Sequence, residues 1–356
     1  MCGPSRRVSE PLPLETIACP LCGETRFHAL FSQGDLALGV PGRFHLVRCP
    51  GCGLLYQNPR VRADQLARAY PAEYAAHTRD PELSRTLRHM GAAVRWVLSK
   101  RLGYQHLDVA DVVWRDKLRG VVSRGRILKV FPPWIGQGRL LDVGCGSGKF
   151  LRQMGAVGWD LTGIEVDAEA AARAREVTPN VYVGDPTQAP FPEGSFDLIT
   201  AFHVIEHLPD PLGALRNMVR RLAPGGLIIV EVPNAAGWGA HLFGRYWSGL
   251  DFPRHLVHFT PTTLSLMVEK AGGRVLSAAH RTKPRYFIRS LRHGLADRNG
   301  RGSRIGLALV TSRLGGGVLK LVLELLMPLA RPLQRGEAVR FFIRRSGEQS
   351  AWYDAP

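Results

Sequence analysis

No run of about eighteen uncharged apolar residues occurs in this chain, the minimum that crosses a bilayer as a helix. The first fifteen residues, MCGPSRRVSEPLPLE, hold two arginines but lack the apolar stretch of a secretory signal. The expectation is a cytosolic protein. Its 39 glycines and 25 prolines follow no triplet period, which excludes a collagen-like rod. Lysine is scarce: 7 lysines stand beside 40 arginines among the 47 basic residues. Acids are in deficit too, 30 against those 47, leaving a formal charge of +17 and favouring anionic partners such as nucleic acid, phosphorylated small molecules or an acidic membrane surface. With 45% hydrophobic and 22% charged residues, a mostly disordered chain is excluded. The 356 residues exceed one ordinary domain, so a large domain with an attached module is expected.

Cysteine is sparse, yet four of the six lie in two close pairs, Cys19/Cys22 and Cys49/Cys52, each within C-P-x-C-G. In a cytosolic chain this spacing points to metal and not to disulfides. Two thiolates three residues apart on a tight turn can face one ion, and the following glycine permits positive φ. Two such knuckles supply four sulfurs, the closed sphere of a structural zinc. The spacing predicts a zinc-ribbon-like module over 15–60. The bland alternative is a redox or unliganded pair.

Residues 61–135 look mainly helical, a linker with arginines between apolar positions. The linker contains Tyr70, Tyr74 and His77, and either caps a cofactor or is a solvated connector. Phe131-Pro132-Pro133-Trp134 and Gly136-Gln137-Gly138 break the pattern, placing the main boundary near 136. From there the chain alternates apolar runs and helical stretches. RLLDVGC, DLTGIEVD, NVYVGD, SFDLITAFHVIEHL and GGLIIVEVPN read as strands of a parallel sheet covered by helices. Gly144, Gly146 and Gly148 form G-x-G-x-G, which is neither the dinucleotide fingerprint nor a Walker loop. By itself it fits either a ligand cradle or close strand–helix packing. Asp142 precedes it, Glu165 ends the second strand where an acid can hold ribose hydroxyls, and Asp185 ends the third.

DVGCGSG, GIEVD, the Gly184-Asp185 pair, FDLITAFHVIEHLPDP and LAPGGLIIVEVPN, in that order, resemble class I S-adenosylmethionine-dependent methyltransferases. With the cysteine pairs before them and PRHLVHFTPTTL behind, they are similar to zinc-ribbon methyltransferases grouped with ubiquinone-type O-methyltransferases and deoxysugar C-methyltransferases. The resemblance implies an α/β fold: a Rossmann-like seven-stranded methyltransferase sheet over 136–346, with a helical insertion about 284–335. It implies S-adenosylmethionine as cofactor, bound by Asp142, Gly144, Cys145, Gly146, Gly148, Glu165, Val166, Asp185, Pro186, Thr187, Phe202 and His203. Ala201, Phe202 and His203 would line the sulfonium. The implied acceptor is a small molecule, a sugar or glycan or other metabolite, methylated at oxygen or carbon.

Methyl transfer needs in-line alignment and exclusion of water, and a base only if the acceptor must lose a proton. His203 and His255 are the candidate catalytic residues, ahead of Glu206, His207 and His258, each of which can equally be a satisfied structural group. The long segment 235–260 offers Tyr246, Trp247, Asp251 and Arg254 for an acceptor pocket, or packs as a lid. Eight basic residues against Asp297 in 281–304, followed by the apolar stretch 318–330, allow either core packing or contact with an anionic membrane surface, and hence a phosphate- or lipid-linked acceptor. Two rivals remain: an RNA methyltransferase, which the charge permits but the AFHV after strand four does not favour, and a non-catalytic cofactor-binding scaffold.

Overall fold

A computed structural model of the chain describes residues 10–70, 91–297, 301–327 and 333–348. Tyr74 and His77 of the linker, and Arg298 of the basic run, lie outside the described residues. The described residues within Met1–Ala72, Ala201–Arg216 and Ile229–Ser346 form one compact unit, and those within Glu73–Thr200, Asn217–Ile228 and Gly347–Pro356 form another.

In the first unit, β1 (Leu14–Glu15) pairs antiparallel with β5 (Arg60–Val61). The strands β2 (His28–Gln33), β3 (Phe44–Arg48) and β4 (Leu55–Gln57) form an antiparallel meander between and after the cysteine pairs. A fourth strand arrives from some two hundred residues away. The two-residue β11 (Val257–His258) adds antiparallel to β4, with Val257 opposite Tyr56 and His258 opposite Leu55. Phe44 and Leu46 alternate toward a core shared with Val61, Trp247, Leu250 and Phe252. The segment 235–260 is therefore packed against the cysteine module.

Arg254 closes that packing. It is fully buried and holds Asp35 through both terminal nitrogens at 2.8 Å. Its Nε and Nη2 donate to Asp251 at 3.2 and 3.0 Å, and further bonds reach the carbonyls of Ala69 and Phe252. The two carboxylates outweigh burial and push the guanidinium pKa further up. Arg254, Asp251 and Trp247 are thus enclosed. Of the two alternatives for this segment, packing and not an acceptor pocket holds for these three residues: an ion held on all sides by the fold has no donor left for a ligand. Arg254→Met should destabilise the protein by about 3–5 kcal/mol, because it strands two buried carboxylates. Chemical denaturation of both proteins reads this, and an unshifted midpoint would refute it.

In the second unit, α1 (Ala92–Arg101) and α2 (Trp114–Val130) occupy the linker. An aromatic cluster ties this region to the following strands. Trp134 lies 4.9 Å from Trp159 between ring centroids, and Tyr104 accepts from Trp159 Nε1 at 3.0 Å while donating to the Pro132 carbonyl at 2.9 Å. The break at Phe131–Trp134 is thus a packed corner.

The core follows in order: β6 (Arg139–Val143), α3 (Lys149–Gly155), β7 (Asp160–Glu165), α4 (Ala168–Ala174), β8 (Val181–Val183), β9 (Phe196–Phe202), α5 (Pro211–Arg221) and β10 (Leu222–Pro233). Next come α6 (Trp238–Phe243), then β11, α7 (Pro261–Lys270) and β12 (Gly273–Arg281). The helices α8 (Pro284–Ala296), α9 (Arg301–Thr311) and α10 (Arg313–Leu326) form the insertion before β13 (Ala338–Arg345). The sheet has seven strands in the order β12-β13-β10-β9-β6-β7-β8. β6 pairs parallel with β7, and β7 with β8, while β12 and β13 pair antiparallel. This is the α/β sheet that the alternation implied. The strand order reverses beside β6, the position whose carboxyl edge receives ligands in open α/β sheets.

No single described helix is long and apolar enough to cross a membrane. The pair Ser303–Thr311 and Leu314–Leu326 passes that test together but bends by 79°.

Candidate functional site

The glycine loop follows β6. Gly144, Gly146 and Gly148 have φ of 70°, 54° and 78°, a region that side chains rarely adopt. The loop folds onto β7: the N–H groups of Gly144 and Cys145 both donate to the Ile164 carbonyl, at 2.8 and 3.0 Å. Gly148 then opens α3, and a Cβ there would meet the Ala174 backbone at 3.0 Å. Gly148→Ala should therefore cost about 1–3 kcal/mol through strain alone, read as a lowered melting temperature. An unchanged value would show that the loop relaxes freely.

Glu165 braces the loop from the end of β7. Its Oε2 accepts from Gly146 N at 2.7 Å, and its Oε1 accepts from Val166 N at 2.9 Å and Asp167 N at 3.0 Å. A carboxylate has about four acceptor positions, so three are used and the acid fixes the loop as well as offering the remaining capacity to a hydroxyl. Asp142 sits beneath, 4% exposed, and accepts from Thr200 Oγ1 at 2.7 Å. Burial raises its pKa to about 7, the nearby Glu165 charge adds to this, and the Thr200 bond opposes it. Cys145 is buried behind the loop, whereas Val166 is exposed at the carboxyl edge. Asp185 is exposed after β8 and caps its own turn through Thr187 N at 2.7 Å. Asn217, which the sequence reading missed, holds the carbonyls of Pro186 and Thr187. These residues, all in one unit, form a cradle of turned backbone with carboxylates at its rim.

The other candidates lie in the first unit. His203, after β9, is one of three non-glycine residues with positive φ among those described, at 58°. Strain of this kind persists where surroundings over-determine it. Its N–H donates to the Glu231 carbonyl at 2.8 Å, its Nδ1 lies 3.3 Å from Glu206, and its Nε2 lies 2.7 Å from Lys283 Nζ. Glu231 also receives Lys283 and, at 2.8 Å, Arg340. Burial and Lys283 oppose protonation of His203, but the bonds to Glu206 and Glu231 outweigh them and raise its pKa to about 9. With Nδ1 against Glu206 and Nε2 against Lys283 Nζ, both ring nitrogens have partners, so His203 is not a ready base. Phe202 lies under the Arg340 guanidinium, 4.9 Å from its centre. Glu231 and Lys283 are functional candidates the sequence reading passed over. A lone acid inside LIIVEVP was the available signal.

His255 is buried, with Nδ1 2.7 Å from the Gly249 carbonyl. It lies beside His207, with ring centroids 4.5 Å apart, and 6.4 Å from His258. Burial and the neighbouring His255 lower His207 to about 4, and burial foremost lowers His258 to about 3, so both are neutral.

The cysteine pairs meet as two matching knuckles. Gly23 N donates to the Cys19 carbonyl at 2.9 Å and Gly53 N to the Cys49 carbonyl at 3.0 Å, with φ of 83° and 76° at the glycines. Cys19 and Cys52 sulfurs are 3.6 Å apart, and those of Cys22 and Cys49 are 3.4 Å apart. Zinc bonds of about 2.3 Å in a tetrahedron need sulfurs about 3.8 Å apart. The donor set and spacing fit such an ion.

Residues 115–278 match a family described as a methyltransferase domain. With the glycine loop, the rim acids and the sheet order, this makes the segment a methyltransferase domain of class I, whose cofactor is S-adenosylmethionine. A ubiquinone biosynthesis O-methyltransferase of Xanthomonas oryzae is 32% identical over 130 residues, covering 34% of this chain and 54% of the relative. An ajmaline N-methyltransferase of Rauvolfia serpentina is 39% identical over 101 residues, covering 26% of this chain and 34% of the relative. The chain thus spans about half the length, or less, of these curated relatives. A SAM-dependent methyltransferase structure from Archaeoglobus fulgidus aligns with a TM-score of 0.42 at 20% identity, over 65% of this chain and 98% of that one.

Proposed function

We propose that the protein transfers a methyl group from S-adenosylmethionine to oxygen or carbon of a small-molecule acceptor, a sugar or glycan unit or a secondary metabolite, and that Cys19, Cys22, Cys49 and Cys52 hold a structural zinc. The observation that carries the reading is the Glu165 carboxylate locked onto Gly146 at the rim of the glycine loop. That arrangement presents a fixed acid beside a turn bare of side chains to a nucleoside with vicinal hydroxyls. The curated relatives support a small acceptor, one being named for ubiquinone biosynthesis and the other for ajmaline. The sulfonium is already activated, so the chain's own work is to orient donor and acceptor and exclude water. His203, with both ring nitrogens engaged, suits positioning of the acceptor better than removal of its proton. The test is methyl label from S-adenosylmethionine followed into fractionated host extract. Label is expected in a sugar-containing or small-metabolite fraction. Label confined to RNA, with affinity falling steeply as salt rises, would replace this reading.

An anionic membrane surface is the partner this reading favours for the inserted helices. On α10, Leu314, Val318, Leu321 and Leu325 are exposed at helical spacing, and on α9 so are Ile305 and Leu309. Residues 281–326 hold ten arginines and lysines against Asp297 and Glu324. An apolar stripe beside excess positive charge suits acidic headgroups, whereas two copies of the same face would repel. Full-length protein should sediment with phosphatidylglycerol vesicles and not with phosphatidylcholine alone. Leu314→Glu with Leu321→Glu should abolish this, and sedimentation unaltered by that pair would contradict the contact.

A further inference from the structure

The turn Ile205–His207 after β9 and the loop leading into β11 bring together three side chains. One oxygen of Glu206 and one nitrogen each of His207 and His255 lie within 4.8 Å of one another. All three belong to the same compact unit. Glu206 is 1% exposed and His255 8%.

Their hydrogen bonds engage one ring nitrogen of each histidine and one oxygen of Glu206. His255 Nδ1 lies 2.7 Å from the Gly249 carbonyl, which can only accept, so Nδ1 carries a proton and a ligand bond falls to Nε2. His207 Nδ1 lies 3.1 Å from the Arg254 carbonyl and 2.9 Å from the Tyr70 hydroxyl, which fixes the same tautomer. Asp251 is 3.9 Å from His255 Nε2, beyond hydrogen-bond reach, and its oxygens serve Arg254. Glu206 Oε1 meets His203, whereas Oε2 is buried without a hydrogen-bond partner among the described residues. Three side chains that can each offer one ligand atom thus converge, and one of them carries a buried, unpartnered carboxylate oxygen that is costly to leave so. An imidazole whose outer nitrogen donates to a carbonyl is also the usual partner arrangement of a metal-ligating histidine.

We propose that Glu206, His207 and His255 form a second metal site, separate from the four cysteines, that takes one divalent first-row transition ion of the zinc or ferrous type. Two imidazoles and one carboxylate suit such borderline ions, whereas magnesium and calcium favour oxygen alone. Bonds of about 2.0–2.2 Å set ligand atoms about 3.4 Å apart, so the three side chains draw together by about an ångström on loading. Three protein ligands leave a coordination position for water or another oxygen.

The test is metal content of the full chain after equilibration with zinc and removal of loose ions. The unmodified protein should hold about two ions, one per ligand set. His255→Gln should hold about one ion, and with cobalt in place of zinc it should keep the thiolate charge-transfer absorption of the cysteine site. The unmodified protein needs no variant to fold, so a single zinc there, accompanied by thiolate–cobalt absorption, would overturn the proposal. Two ions that survive His255→Gln and His207→Gln would overturn it equally.

Discussion

Removing the cysteine-bound metal is expected to unfold residues 15–60 and loosen the loop that packs on them. Zinc in small four-ligand modules supplies about 10–16 kcal/mol of apparent binding free energy at neutral pH, and that energy is folding energy. The module's strands are short, β4 having only three residues and β5 two, and too little else fixes the two knuckles against each other. Cys22→Ser should release that zinc and raise hydrogen exchange throughout 28–57. The loss should not stop there, because β11 pairs with β4 and Asp35 of the module holds Arg254. Exchange should therefore also rise over 250–258. Exchange confined to the knuckles, or unchanged metal content, would show that the four cysteines do not hold this part of the fold together.

The second large effect is expected at Glu165. Glu165→Ala removes a charged acceptor from three backbone N–H groups and from the nucleoside hydroxyls. Charge-assisted bonds contribute about 1.5–3 kcal/mol each, so S-adenosylmethionine affinity should fall by roughly one to two decades. Glu165→Gln separates bracing from charge. Its amide oxygen can still accept from Val166 and Asp167, but its NH₂ would then face the Gly146 N–H, donor against donor. Glutamine should accordingly bind nearly as poorly as alanine. A glutamine variant with parental affinity would mean that Oε2 does not brace the loop in solution.

The sequence made the local parts of this molecule legible. The glycine loop, the strand-end acids and the cysteine knuckles each carry their meaning within a few residues, because positive φ, carboxyl-edge placement and thiolate spacing are local demands. Strand β11 carries none of that. Two residues inside RHLVHFT pair with a partner two hundred positions earlier, and no short pattern encodes such a pairing. The same distance hid Arg254. Beside Tyr246 and Trp247 it reads as part of a pocket, and only Asp35, brought in by the fold, turns it into an enclosed ion. His203 was identified by position, but its partners Glu231 and Lys283 come from other elements, and no short pattern names them. His255 likewise owes its ring orientation to a carbonyl of its own loop and its neighbours to a distant turn.

The central claim is methyl transfer, and its most direct measurement is formation of S-adenosylhomocysteine by zinc-loaded full-length protein in small-metabolite host extract, with Glu165→Ala alongside. The account predicts product that depends on both extract and protein, with at least a tenfold slower rate for the variant at subsaturating cofactor. S-adenosylmethionine bound by the parent protein but no S-adenosylhomocysteine with any extract fraction, or equal product from the variant, would contradict it.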